Sequence, residues 1–276
     1  MINNYNLSDD DFYKLRDIIY NEAGIKLGDV KKILMQSRLI KRLRDLKLDN
    51  FTEYYDYLIN NFEDEKINFI NSITTNKTDF FRENDHFEFM KNKILPDFEK
   101  KNENELRIWS AGCSTGEEPY TIAITLFEYF NGKAAPEFLI LATDIDTQVL
   151  EKAQEGNYSA DHLADVDPKY LKSYFMYNCN DKGDFYKVKD QLKQKVYFRR
   201  LNLLQDEYPM KKKFDIIFCR NVIIYFDRET QKKLFEQYYK YLKDDGYLLI
   251  GHSENITSIT DKFVLAGRTI YRKVVK

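Results

Sequence analysis

Cysteine is scarce in this 276-residue chain. Cys113, Cys179 and Cys219 are odd in number and irregular in spacing, which excludes a disulfide framework and a cysteine zinc site and points to reduced thiols. Histidine is equally rare. His86, His162 and His252 do not stand at metal-ligand spacing from a cysteine or from one another, so no metal is expected. Neither sign of charge dominates: a formal net charge of −2 argues against a nucleic-acid binder, which carries a clear basic excess. No apolar run approaches the ~18 residues of a membrane-crossing helix. The N-terminus, MINNYNLSDDDFYKL, lacks a basic stretch followed by an apolar one, so no signal peptide is expected. Internal repeats and low-complexity linkers are also missing. These absences describe a cytoplasmic protein without membrane insertion.

What is present is apolar and aromatic. Hydrophobic residues make up 43% and aromatics 15%, with 21 Tyr and 20 Phe, enough for one large core with or without a smaller second domain. Residues 8–72 read as helices only. Ser8 is the expected cap of the first, Gly24 and Gly28 punctuate a turn, and further helical patterns cover 30–48, 51–61 and 63–73. From residue 106 the pattern changes. Short apolar runs (Leu106–Ser110, Phe138–Thr143, Val196–Arg199, Phe214–Cys219, Tyr247–Gly251, Thr269–Val275) alternate with helices near 117–130, 146–154 and 228–243. That alternation predicts an α/β domain with a parallel sheet covered on both faces. A turn at Lys243–Asp245 is expected to lead into the run that begins at Gly246. Residues 156–195 break the alternation. They are polar and rich in Tyr and Lys, with a hairpin expected around Lys182-Gly183-Asp184, and a gap this long reads as an insertion with its own structure.

The most informative segment runs from Arg107 to Tyr120, where a strand enters a small-residue turn and opens a helix. Ser114 or Thr115 is expected to cap that helix, and Pro119 is tolerated in its first turn. Gly112 and Gly116 let backbone approach a ligand at the carboxyl end of the first strand, where doubly wound sheets bind nucleotides. No G-x-G-x-x-G is present, and Glu117 and Glu118 would repel a pyrophosphate. An acidic lip suits a cation, and S-adenosylmethionine, with an ammonium, a sulfonium and no phosphate, fits. Asp144, at the tip of the second strand, can accept both ribose hydroxyls, a feature shared with NAD enzymes, and Asp146 fits a helix N-cap. Arg220 and Asn221 emerge at the tip of the strand 214–219, with Tyr225 just beyond.

Four blocks then carry a family resemblance: Thr75-Asn76-Lys77-Thr78-Asp79-Phe80-Phe81-Arg82, Trp109 through Tyr120, Ala142-Thr143-Asp144-Ile145-Asp146, and Phe214 through Phe226 with Asn202-Leu203 upstream. In order and spacing they span most of the chain, which resembles the chemotaxis receptor glutamate methyltransferases of CheR type. The resemblance implies a Rossmann-like class I methyltransferase sheet, an N-terminal all-helical domain over 1–75, a linker over 76–92 contributing to the cofactor site, and a methyltransferase domain over 93–276 with a small antiparallel β-subdomain inserted at about 156–195. It implies S-adenosylmethionine as cofactor, with S-adenosylhomocysteine as product. Asn76, Thr78, Arg82, Gly112, Glu117, Asp144, Asn202, Leu203, Arg220 and Asn221 would form the cofactor site, with Glu117 meeting the methionine ammonium and Asp144 the ribose. Arg82 and Tyr225 would stand at the reacting centre. A receptor carboxylate would attack the sulfonium methyl without needing a general base, because it is ionised at neutral pH.

The implied partner is the cytoplasmic helical bundle of a chemoreceptor. On the basic helix at 30–48, Lys31, Arg38 and Arg42 fall on one face and would dock it, while Ile33 and Ile40 lie nearly opposite, facing a core. Part of the family also recruits receptors through a C-terminal tether peptide added to the β-subdomain. Two rival readings differ in class: a module that binds S-adenosylmethionine without turnover, against which Arg82 and Tyr225 weigh, and a methyltransferase for RNA or a small molecule, against which the balanced charge and the helical N-terminus weigh.

Overall fold

The computed structural model describes residues 5–275 apart from 181 and 182. Ser8 caps α1 (Asp9–Ala23) by accepting the Asp11 backbone N–H, and Gly24 ends it at φ 68°. α2 (Lys32–Leu46), α3 (Phe51–Asn60) and α4 (Phe62–Ile73) complete the helical part. Their apolar stripes recur at three- and four-residue steps: Phe12, Leu15 and Ile19 meet Met35, Leu39 and Leu43, with Leu58 and Phe69, in one core.

The expected orientation of α2 needs correction. Ile33 is 79% exposed, and Ile40 is only half-buried. The buried stripe is Met35–Leu39–Leu43, and Arg38 and Arg42 flank it rather than oppose it. The cause is Glu65 on α4, a buried carboxylate that would be an uncompensated charge without a partner. Arg42 grips both its oxygens, Nε at 2.6 Å from Oε1, and the Tyr54 hydroxyl donates to Oε1 at 3.1 Å. Glu65→Ala should therefore lower the unfolding free energy of the protein by about 2–3 kcal/mol, read by denaturant titration; this is the low end for a broken buried pair because Arg42 still reaches solvent.

Residues 74–84 form a link to a helical run made of α5 (Asp85–Phe89), a π-helical turn at Met90–Ile94 and α6 (Leu95–Glu99). Then β1 (Glu105–Ala111), α7 (Glu117–Phe130), β2 (Glu137–Asp144) and α8 (Thr147–Glu155) alternate as expected. The insertion comprises β3 (Asn157–Ser159), α9 (Pro168–Tyr174), β4 (Phe175–Asn180), β5 (Gly183–Val188) and α10 (Asp190–Lys193). Its three strands form an antiparallel sheet in the order β3-β5-β4, and Lys182 of the expected hairpin lies outside the described residues. The chain closes with β6 (Val196–Arg200), β7 (Phe214–Cys219), α11 (Arg228–Tyr241), β8 (Leu242–Ile250), β9 (Phe263–Gly267) and β10 (Ile270–Lys273).

The large sheet has the order β6-β2-β1-β7-β8-β10-β9. β6, β2, β1, β7 and β8 run parallel, and β10 is antiparallel to both β8 and β9. Apolar cores cover both faces, one under α7 and the other under α11. Trp109 on β1 is fully buried in the second, wedged among Tyr208, Phe214 and Tyr238, with Nε1 donating to Thr143 Oγ1 at 2.9 Å. The chain leaves β1 for β2 on one side and returns to β7 on the other. The crevice at the carboxyl ends of β1 and β7 is the switch point where such sheets bind ligands.

Two features depart from expectation. β9 was not foreseen: it is an edge strand whose Val264 and Leu265 face solvent, so it lacks the buried alternation that marks a strand. Lys243–Asp245 is no turn; it bulges within β8, where Phe214 pairs with Leu242 but Ile216 with Tyr247.

Candidate active site

At the switch point lies a cavity of about 360 Å³, walled by three parts of the chain: the sheet's loop ends, the 73–82 link, and the start of α2 with the turn before it. Gly112 takes φ 88°, and a Cβ there would stand 2.4 Å from Val222 Cγ2, so only glycine allows the β1 turn and the β7 loop to meet. The cap of α7 is Gly116 at φ 97°, not Ser114 or Thr115. Those hydroxyls are used elsewhere: Ser114 donates to the Asn76 carbonyl at 2.8 Å, and Thr115 donates to Glu117 at 2.7 Å.

Asp144 sits beneath this turn. Its carboxylate accepts the N–H of Ser114 at 2.8 Å and of Asp146 at 3.0 Å. Burial nonetheless pushes its carboxyl up to about 6. Asp146 is the α8 cap and also receives the Asn76 amide at 2.7 Å, which fastens the link to the sheet.

The cavity wall includes Asn76, Thr78, Arg82, Gly112, Asp144, Asn202, Leu203, Arg220, Asn221 and Tyr225, so these expected site residues come together. Glu117 does not join them. Its buried carboxylate is held by Thr115 and faces His162 Nδ1 at 3.5 Å; Glu118 takes the place on the wall. The cause is helical phase: one residue further on points Glu118 at the sheet tip, where it accepts from Ser110 Oγ at 2.6 Å and meets Arg220 at 3.1 Å.

Arg220 is not a free donor. Its guanidinium bridges Glu118 to Glu83 at 3.1 Å each and also donates to the Arg82 carbonyl. The Asn202 amide is likewise spent on the Glu22 carbonyl at 2.7 Å, tying β6 to α1. Both residues can serve the cavity through their backbone and stems. Arg82 differs. Its Nη1 donates to the Lys77 carbonyl at 2.9 Å, and it meets no carboxylate among the described residues. Phe81 and Glu83, on either side, have φ of 54° and 55°. Two left-handed non-glycine residues separated by a single residue are strained, and such strain persists only where surroundings impose it. Here the Arg220 bridge and Thr121, which accepts the Phe81 N–H at 3.2 Å, impose it.

The three docking candidates divide. Lys31 is exposed at the cavity mouth with no ion partner among the described residues. Arg38 is half-buried in the wall, donating to the Ile73 carbonyl and to Thr75 Oγ1 at 2.8 Å. Arg42 still reaches solvent, but its guanidinium is paired with the Glu65 carboxylate and is not a free docking charge.

Sequence reasoning missed Glu83 and Glu254 as site-building residues, and it placed Glu118 in the acidic lip while giving the ligand contact to Glu117. Glu83 also gathers His86 and His252, whose ligand-type atoms with its own lie within 4.8 Å of one another. Glu83 already holds Arg220, the Asn221 amide at 3.4 Å and the His252 N–H at 3.2 Å, so the cluster is built around a guanidinium. Burial and the Arg220 charge hold His86 down at about 4, neutral at physiological pH.

A strand-tip acid, a glycine turn without a phosphate cradle and this strand order fit an S-adenosylmethionine-dependent methyltransferase of class I. The family of the CheR methyltransferase all-alpha domain matches residues 10–74, and that of the CheR methyltransferase SAM binding domain matches residues 76–272. A chemotaxis protein methyltransferase of Borreliella burgdorferi is 48% identical over 259 residues, 92% of this chain and 90% of that one. One from Escherichia coli is 43% identical over 266 residues, 96% and 91% of the two chains. The chain belongs to the CheR methyltransferase family.

Proposed function

We propose that the protein transfers the methyl group of S-adenosylmethionine to glutamate side chains on the cytoplasmic helical bundle of chemoreceptors, forming glutamyl methyl esters in the cytoplasm. One observation carries this: the cavity joins the acidic residues Asp144 and Glu118 to the cationic side chains of Lys26, Lys31, Arg38, Lys77 and Arg82, with Arg220 already bridged between Glu118 and Glu83. A cationic mouth draws in and orients a carboxylate. Both relatives are chemotaxis protein methyltransferases by name.

The bound cofactor supplies an electrophilic methyl on a positive sulfur. A carboxylate oxygen takes that methyl as the carbon–sulfur bond breaks, and the bonding pair stays on sulfur, which leaves as a neutral thioether. Since the acceptor is already ionised, the protein's work is alignment and exclusion of water. Arg82 offers the fork that can hold both carboxylate oxygens. Tyr225, half-buried in the cavity lining, would supply a hydroxyl to the acceptor. Gly112, Asp144, Asn76, Thr78, Asn202, Leu203, Arg220 and Asn221 would line the cofactor's side. Lys31 carries the docking charge at the mouth. Where a receptor has a C-terminal tether, the edge strand β4, with Met176 and Tyr177 exposed, is where that peptide would add.

The test is transfer of label from S-adenosylmethionine to chemoreceptor-containing membranes, followed by mild base. Release of volatile methanol is expected. Base-stable label would refute the ester, and no label at all would favour a binding module without turnover.

A further inference from the structure

Beyond β8 the chain turns at Gly251 and places Glu254 beneath the β7 loop. Glu254 is 5% exposed and has no cationic partner among the described residues. Its carboxylate is instead filled with backbone donors. Oε2 accepts from Gly251 N at 2.6 Å and Asn221 N at 3.1 Å, and Oε1 from Ile223 N at 2.8 Å and Ile224 N at 3.3 Å. Three of those four N–H groups belong to the short segment that carries the cavity-wall residues Asn221, Val222 and Tyr225.

That segment needs the help. Asn221 is held at φ 60°, a conformation an L-residue seldom keeps unaided. Gly251 permits the close approach, since a Cβ there would lie 2.6 Å from Asn221 Nδ2 and 2.8 Å from Asn221 N. The segment then makes a 3-10 turn at Ile223–Tyr225 and offers the Tyr225 carbonyl to Lys26 N at 2.9 Å. One carboxylate thus satisfies the amide groups that a strained loop would otherwise leave buried and unpaired, a debt that is costly in an enclosed site.

We propose that Glu254 is the positioning residue of the transfer site: through four backbone hydrogen bonds it folds the segment Asn221–Tyr225 so that the Asn221 backbone meets the cofactor and the Tyr225 hydroxyl meets the acceptor. The inference rests on the reading of Tyr225 given above. Glu254 itself touches neither cofactor nor acceptor.

The experiment uses the whole chain with Glu254→Gln, Tyr225→Phe and the double variant. Affinity for S-adenosylhomocysteine is measured by calorimetry, and kcat is measured on receptor membranes. Glutamine keeps the size but turns an amine toward two of the four donors. Glu254→Gln is expected to weaken S-adenosylhomocysteine about tenfold or more, as loss of several backbone hydrogen bonds implies. Tyr225→Phe should leave that affinity within about twofold, because only the hydroxyl is removed. In kcat, Glu254→Gln should cost about tenfold or more with Tyr225 present and about twofold or less with Tyr225→Phe, since coupled groups are not additive. Wild-type affinity for S-adenosylhomocysteine in Glu254→Gln overturns the proposal, whatever the turnover. So does an equal kcat loss in both backgrounds where Tyr225→Phe alone is impaired. If Tyr225→Phe alone turns over normally, the role of Tyr225 falls, and Glu254 is judged on the affinity arm. Should Glu254→Gln fail to fold, Glu254→Asp keeps the charge but is too short to span both sets of donors, and carries the same readouts.

Discussion

Arg82→Ala should lower methyl transfer to receptor by about 100-fold or more while S-adenosylhomocysteine binds within about threefold of wild type, the pattern for a group that acts mainly in the transition state. Its guanidinium spends one donor on the Lys77 carbonyl, meets no carboxylate among the described residues and belongs to the cavity lining. The turn beneath it is strained at Phe81 and Glu83 and braced by Arg220. A structure that keeps two residues in an unfavourable conformation around one arginine fixes where that arginine points. Arg82→Lys should recover only part of the rate, since an ammonium is a point charge without a planar fork. Near-normal turnover of Arg82→Ala on receptor membranes would remove Arg82 from the reacting centre.

The second large effect belongs to Asp144. Asp144→Asn should weaken S-adenosylmethionine by roughly 100-fold, the loss of charge assistance expected of a carboxylate proposed to accept both ribose hydroxyls. The pH dependence follows from the buried carboxyl, which burial raises to about 6 from 3.8. The ionised form is the stronger acceptor for hydroxyl donors, so affinity should fall as pH drops below 6, by at most tenfold per pH unit. Stability moves the other way. A carboxyl whose folded value lies above its unfolded one binds its proton more tightly in the folded state. Its burial therefore costs about 3 kcal/mol above pH 6, and that cost is relieved as pH falls from 6 towards 4. Calorimetric titration between pH 5 and 8 checks the first trend, and Asp144→Asn should flatten it. A wild-type affinity that is constant over that range would show that Asp144 does not hold the ribose in its ionised form.

The sequence made the sheet and most of the cofactor wall legible for a physical reason. Parallel strands buried on both faces read as continuous apolar runs, so β1, β2 and β7 stand out, and each ends in the residues that line the cavity: Gly112, Asp144, Asn221. The side chains that hold those residues in place were not legible. Glu83, Glu118 and Glu254 act across sequence separations of 30 residues and more, to partners that no local period reveals. Glu118 lay beside the residue expected in its role, and only the phase of α7 distinguishes Glu117, turned to Thr115 and His162, from its neighbour. Arg42 shows the same limit from the other side. Spacing placed it correctly on one face with Arg38, but the buried acid that claims it sits on α4, and charge runs are read as solvated until such a partner is seen.

The hydrogen bonds from Lys26 to Tyr225 and from Asn202 to Glu22 join the first helix and the turn after it to the last third of the chain. Their consequence concerns the order in which a ribosome delivers the chain. The helical domain and β1 emerge early, yet the cavity has no far wall until Tyr225 has been made, and no support for that wall until Glu254 follows. Loops of this span close late and slowly. S-adenosylmethionine should therefore stabilise the finished molecule far more than a nascent one, and a chain cut short before Glu254 would lack the support of its Asn221–Tyr225 wall.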